Sequence, residues 1–168
     1  MTIRGYLSIP VLLLLALLQV TLMPHLALAH VQPDLMLAAV VCWALVRGPT
    51  QGAAWGLVGG IALDLLSGGP FGMHTVALTA AGTIAGLGAA LIPSEHTLLL
   101  PGMSMLCTIL QQGACVWILR ASGWPLDWGL LLTAVVLPAT LLNLGLTALL
   151  YPLAGLLNRQ TALQEPGW

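Results

Sequence analysis

The chain has 168 residues, of which 59% are hydrophobic and only 5% carry a charged side chain. A soluble domain carries roughly 25% charged residues, so this chain lacks the polar surface that a soluble protein needs. The net charge is −1, there is no lysine and the arginines are scattered, which excludes a basic surface for nucleic acid. Together with a mean hydropathy of +1.01, this composition predicts an all-α integral membrane protein.

Apolar segments separated by prolines, glycines and rare charges predict a bundle of about six transmembrane helices. Crossing the ~30 Å hydrocarbon core of a bilayer takes about 20 helical residues. The first segment exceeds the roughly 7–15 apolar residues of a signal sequence, so we expect it to be retained as a helix. We expect one polytopic membrane domain over residues 1–168, with helices at roughly 6–23, 31–46, 50–66, 73–92, 97–119 and 129–157.

The second segment is short for a spanning helix. Its continuous apolar part, residues 35–46, would reach only ~18 Å as an α-helix. A tilted or thinned bilayer, or cover from neighbouring helices, would allow it to span. A five-helix bundle in which this segment is re-entrant is the alternative.

The few arginines predict the orientation of the chain in the membrane. Short loops that carry arginine lie preferentially on the cytoplasmic side. Three arginines fall on one side of the predicted bundle (Arg4, Arg47 and Arg159), and Arg120 falls on the other. We therefore expect cytoplasmic N- and C-termini, with Asp34 and the turn after the third helix on the outer side.

Two helices carry glycines at intervals of four residues. Gly52, Gly56 and Gly60 share one face of the third helix, and Gly82 and Gly86 share one face of the fourth. Small residues at this spacing let two helix backbones approach closely within a membrane. We therefore expect the third and fourth helices to pack through these faces.

Asp64 continues the glycine series at the end of the third helix. A carboxylate at the centre of a spanning helix costs about 2.5–3.5 kcal/mol, and less toward the interface. The dipole of its own helix disfavours negative charge at that end, so capping does not explain the residue. Two interpretations remain: an interfacial aspartate that reaches headgroups or water, and a polar anchor for the outer turn or a partner helix. We favour the anchor.

Two further polar residues lie at predicted helix starts. Asp34 follows Pro33 and opens the second helix, where an N-cap carboxylate is favourable. His74 opens the fourth helix, and its imidazole could bond Asp64 across the turn. A structural hydrogen bond is the more common role of such a histidine than a ligand role.

The sequence contains no recognisable catalytic or metal-binding pattern. HExxH, GxSxG and phosphate-loop motifs are absent, and the four histidines are spread along the chain without a carboxylate cluster. The cysteines lie in apolar runs, as inert packing residues do. We therefore expect no enzymatic activity, no cofactor and no metal. The remaining intramembrane polar groups suit interhelical hydrogen bonds: Gln111, Gln112, Thr140, Asn143 and Thr147.

Two strings resemble a known family. They are PDLMLAAVVCWALVRGP at residues 33–49 and GAAWGLVGGIALDLLSGGPFGMHTVALTAAG at residues 52–82. In the MreD family of rod shape-determining proteins, a Pro-Asp opens one helix and an arginine-glycine turn follows. A glycine-rich helix then ends in a Leu-Asp-Leu-Leu-like step before a Gly-Pro-Phe/Leu-Gly turn and a histidine. The resemblance covers nearly a third of the chain; the later helices match only in hydropathy.

The resemblance implies a non-enzymatic scaffold of the bacterial elongation machinery in the inner membrane. Such a protein would bind MreC, which has one spanning helix, and help to control cell shape and peptidoglycan synthesis. It would thereby link MreB filaments to the polymerase RodA and its transpeptidase partner. The candidate docking or structural residues are Asp34, Asp64, Gly68, Gly69, Pro70, Phe71, Gly72 and His74.

The same family resembles the substrate-binding subunits of vitamin transporters in fold. The alternative function is therefore a membrane subunit that binds a small molecule for transport. That function would need a polar outer cavity of ligand size. The sequence offers few convergent polar groups for such a cavity.

Overall fold

The computed structural model describes residues 4–26, 31–92, 98–121, 123 and 135–162, with side chains described between residues 9 and 158 of those ranges. This part of the chain contains six α-helices and one short 3-10 helix. They are α1 (Arg4–Thr21), the 3-10 helix (Met23–Leu26), α2 (Leu35–Arg47), α3 (Pro49–Ser67), α4 (Met73–Leu91), α5 (Leu99–Ala121) and α6 (Leu137–Ala162).

Local chemistry sets the ends of α2 and α3, which differ slightly from the predicted bounds. The second helix begins at Leu35 rather than residue 31 because Asp34 is its N-cap and accepts a hydrogen bond from the Leu37 N–H. The third begins with Pro49, whose missing N–H costs nothing in the first turn. It ends at Ser67, followed by the C-cap residue Gly68, which adopts the left-handed conformation with φ 68°. Residue 97 and residues 129–134, where the fifth and sixth helices were predicted to begin, lie outside the described residues.

The short helix α2 is the centre of the bundle. It contacts α1, α3, α4, α5 and α6. Its length of 13 residues corresponds to ~20 Å, less than the hydrocarbon thickness of a bilayer. Neighbouring helices supply the cover that such a short helix needs. Its buried residues point in nearly every direction around the axis: Met36, Leu37, Ala38, Val40, Val41, Cys42 and Ala44.

Helices α3 and α4 form an antiparallel pair in which their backbones touch. The facing residues are Gly52 with Gly82, Gly56 with Leu78, Gly60 with Thr75, and Gly86 with Pro49. A methyl group at any of these glycines would collide with backbone atoms of the opposite helix. Both glycine stripes therefore lie in the α3–α4 interface.

Three helices of the described part are long and apolar enough to cross a membrane: Met73–Leu91, Leu99–Ala121 and Leu137–Asn158. Two shorter apolar helices, Ile9–His25 and Leu35–Arg47, accompany them. Large apolar side chains such as Leu14, Leu91 and Leu141 are exposed on the outer faces. An apolar exterior around long apolar helices is the architecture of a membrane helical bundle.

Candidate functional site

The carboxylate of Asp64 lies across the α3–α4 turn from the helix that holds it. Asp64 is buried, with 5% of its surface exposed. Its Oδ2 accepts from the N–H of Gly72 at 2.9 Å, the N–H of Thr75 at 3.1 Å and the Thr75 hydroxyl at 2.5 Å. Its Oδ1 accepts from the N–H of His74 at 2.9 Å. One side chain thus binds the first N–H groups of α4, which have no partner within their own helix.

The expectation that capping does not explain Asp64 was wrong. That expectation considered only α3, whose C-terminus disfavours a negative charge. The carboxylate instead caps α4, where the helix dipole favours it. The N-cap residue of α4 is Gly72, which has no side chain to offer. Asp64 therefore supplies the cap that the local sequence lacks.

His74 contacts Asp64 through its backbone and not through its imidazole. The predicted imidazole–carboxylate hydrogen bond is not formed, because the carboxylate is turned toward the backbone N–H groups. The Nδ1 atom of His74 is buried and has no hydrogen-bond partner among the described residues. The side-chain hydrogen bond between His74 and Asp64 that the sequence allows is therefore not formed.

The α3–α4 turn, residues 67–72, is fixed at both ends and presents an aromatic side chain. Gly68 and Gly72 have φ angles of 68° and 94°, in the left-handed region that glycine adopts without strain. Pro70 accepts a hydrogen bond from the Met73 N–H. Phe71 projects from this turn with 72% of its surface exposed.

The large side chains exposed on either side of the turn are apolar. Leu65 and Leu66 at the end of α3 are exposed, and so is Val76 in the first turn of α4. The turn itself contains no charged residue. The Asp64 carboxylate is buried and accepts four hydrogen bonds from within the protein. This surface therefore offers a partner apolar contact rather than charge.

Asp34 belongs to a different group of contacts. It is the N-cap of α2, as its position after Pro33 predicts, and its Oδ1 accepts from the Leu37 N–H at 2.9 Å. Its Oδ2 accepts from the Gln111 amide, and its N–H donates to Asn143 Oδ1 at 2.7 Å. No hydrogen bond in the described part joins Asp34 to Asp64 or the turn.

Other buried polar side chains link α5 and α6 near Asp34. Asn143 donates to the hydroxyl of Thr108, and the Ser104 and Thr147 hydroxyls lie 3.0 Å apart. These are the interhelical hydrogen bonds that polar groups in apolar helices predict. Thr140 differs, because its hydroxyl donates to the carbonyl of Val136, the residue just before its own helix.

Sequence reasoning missed two residues of these sites. Thr75 supplies both an N–H and a hydroxyl to Asp64. Gln19 of α1 accepts from the Leu35 N–H at 2.7 Å, so two side chains cap α2. The role of Thr75 could have been predicted, because it places a hydroxyl in the first turn of α4. The role of Gln19 could not, because no nearby sequence pattern indicates that it contacts α2.

The described residues contain no group of three or more histidine, cysteine, aspartate or glutamate side chains that could hold a metal ion. All three cysteines are buried and reduced. The candidate site is the surface formed by the α3–α4 turn and supported by Asp64.

The sequence matches a known protein family. A family model described as rod shape-determining protein MreD matches residues 1–161. No curated protein and no solved structure matches the chain. The family match confirms the resemblance of residues 33–82 and extends it over nearly the whole chain, including the helices whose sequences matched only in hydropathy.

Proposed function

The chain belongs to the MreD family of rod shape-determining proteins, and from that membership we propose that it is a scaffold of the bacterial cell-elongation machinery. MreD is a shape-determining structural family rather than an enzyme family. In this proposal the protein is a multi-pass protein of the inner membrane with both termini in the cytoplasm. It binds an MreC-like protein with one spanning helix, and through it connects MreB to RodA and its transpeptidase. Its role is to help control peptidoglycan synthesis.

The observation that carries the docking part of the proposal is the α3–α4 turn. Four hydrogen bonds to Asp64 hold the backbone that follows Phe71. A preordered surface loses little conformational entropy when a partner binds. Aromatic side chains, phenylalanine included, are also enriched at protein–protein interfaces relative to the rest of the surface. Phe71 is therefore the anchor of the docking surface.

The chemistry of this surface matches the kind of partner proposed. The large exposed side chains in the helix turns that flank Phe71 are Leu65, Leu66 and Val76, all apolar. A spanning helix of the partner would present apolar side chains at the same depth. The glycine contacts between α3 and α4 hold the two helices that carry this surface in a fixed arrangement.

The alternative is a substrate-binding subunit of a small-molecule transporter. It rests on the predicted likeness in fold to vitamin-transporter subunits, which stays a prediction because no solved structure matches. The two functions predict different partners, so one purification separates them.

The test is affinity purification of the tagged full chain from its own membrane. We expect an MreC-like protein to co-purify with the wild type. Phe71→Ser should reduce this capture at least tenfold, while Leu149→Ser, which changes a similarly exposed leucine on α6, should not. Co-purification of an energy-coupling ATPase complex in place of MreC would contradict the scaffold and support the transporter.

A further inference from the structure

The outer face of α3 is apolar over only part of the length of the helix. Its exposed apolar side chains fall within residues 54–66. The large ones are Leu57, Ile61, Leu65 and Leu66. The exposed residues before this stretch are the polar Thr50 and Gln51, and the residue after it is the exposed Ser67. At 1.5 Å per residue, the exposed apolar belt of α3 is therefore ~18 Å tall.

The belts on α5 and α6, two helices that contact each other, are taller. On α5 the exposed apolar side chains run from Leu98 to Trp117, which is ~29 Å, and on α6 they run from Leu137 to Leu157, which is ~30 Å. No polar side chain between these limits is exposed. Both belts match the ~30 Å hydrocarbon core of a bilayer. By contrast α3, although 19 residues long, is not among the helices that are long and apolar enough to cross it.

The two ends of the α3 belt resist movement into the hydrocarbon. The exposed Gln51 amide would lose its hydrogen bonds to water there. Beyond Ser67 the exposed backbone of Gly68 and Gly69 is not helical, and such backbone does not face lipid. No lysine or arginine in α3 could reach back to the interface with a long side chain. Tilting the helix would only reduce the height of its belt further.

We propose that the bilayer is thinner along α3 than along α5 and α6, so that α3 favours phospholipids with short acyl chains. A belt shorter than the hydrocarbon thickness is accommodated by local thinning of the bilayer. The mismatch is confined to one edge of the molecule, because the belts of α5 and α6 fit a bilayer of ordinary thickness. This property belongs to the protein on its own and does not depend on the docking of a partner.

The test is the membrane depth of nitroxide labels along two helices. Single cysteines are introduced at exposed positions of α3 and of α6, in a chain whose three buried cysteines are replaced by alanine. In dioleoyl phosphatidylcholine vesicles, collisions with oxygen and with a water-soluble nickel complex give the depth of each label. We expect the stretch of helix in contact with hydrocarbon to be at least one helical turn shorter on α3 than on α6. A difference of less than one turn would overturn the proposal.

Two variants that keep the native cysteines locate the effect on α3. Gln51→Leu extends the apolar belt, whereas Ala54→Leu, the matched control, adds a leucine to an exposed position already within it. Thermal unfolding is compared between thin vesicles of dimyristoleoyl phosphatidylcholine and thick vesicles of dierucoyl phosphatidylcholine.

We expect the wild type to unfold at a lower temperature in the thick vesicles, because long helices adapt to a thin bilayer by tilting but a short belt cannot be extended. Gln51→Leu should reduce this drop by about 2–4 °C, and Ala54→Leu should leave it unchanged. The absence of a drop in the wild type, or an equal reduction by both variants, would contradict a thin edge at α3.

Discussion

At the scale of single residues, Asp64 explains how an acidic side chain is retained in an otherwise apolar helix. Its two oxygens accept four hydrogen bonds from three residues at the start of the next helix. Hydrogen bonds to a charged acceptor are about twice as strong as those between neutral groups. The carboxylate therefore stabilises the fold, and the shape of the α3–α4 turn depends on it.

We expect Asp64→Leu to lower the free energy of unfolding by about 2–4 kcal/mol, because it leaves the N–H groups of α4 without an acceptor. Asp64→Asn keeps one acceptor oxygen and should fall between the leucine variant and the wild type. Thermal unfolding in detergent measures both. A leucine variant as stable as the wild type would mean that these hydrogen bonds are absent in the membrane-extracted protein.

Thr75 provides a narrower check on the same contact. Thr75→Val removes only the hydroxyl and keeps the backbone N–H, so we expect a loss of about 1–2 kcal/mol. Thr75→Ser retains the hydroxyl and should lie within about 0.5 kcal/mol of the wild type.

The sequence alone predicts the role of Asp34 as a helix cap, but it does not predict the role of Asp64. The cap at Asp34 binds an N–H three residues away, and such local capping is readable from a Pro-Asp step before an apolar run. Three of the four donors to Asp64 are backbone N–H groups eight to eleven residues away. Backbone donors leave no side-chain pattern, so their pairing with Asp64 is visible only once the turn is folded.

At the scale of helices, the glycine spacing of four residues indicates which faces of α3 and α4 are small. The spacing does not give the register, which pairs Gly52 with Gly82 and Gly60 with Thr75. That register depends on the geometry of the turn and on Asp64. The sequence also does not show that α2 lies at the centre of the bundle. A helix that is apolar on all sides has the same residue pattern whether lipid or protein surrounds it.

We expect Gly56→Leu to lower the free energy of unfolding by about 1–3 kcal/mol, because a side chain there meets the backbone of α4 at Leu78. Gly113→Leu on α5 is the matched control, since a side chain at that glycine meets no atom within 4 Å. In thermal unfolding, the Gly56→Leu variant should therefore have a lower unfolding temperature than the Gly113→Leu variant. Equal stability would show that α3 and α4 separate in the detergent-extracted protein.

At the scale of the whole molecule, the helices surround α2 and expose apolar faces. The arginine distribution predicts that both ends of the chain lie in the cytoplasm. Reporter fusions at Gln160 and within residues 122–124 should report opposite sides of the membrane. Fusions that report the same side would rule out the predicted six-helix topology.

The central claim is that the α3–α4 turn docks an MreC-like partner, and site-specific photo-crosslinking tests it most directly. A photo-reactive phenylalanine analogue would replace Phe71, and in a second strain it would replace Leu149 on α6, whose side chain is similarly exposed. On irradiation of cells we expect a crosslink to the MreC-like protein from position 71 and none from position 149. A crosslink from position 149 alone, or from neither position in cells where MreC co-purifies with this protein, would contradict the proposed docking surface.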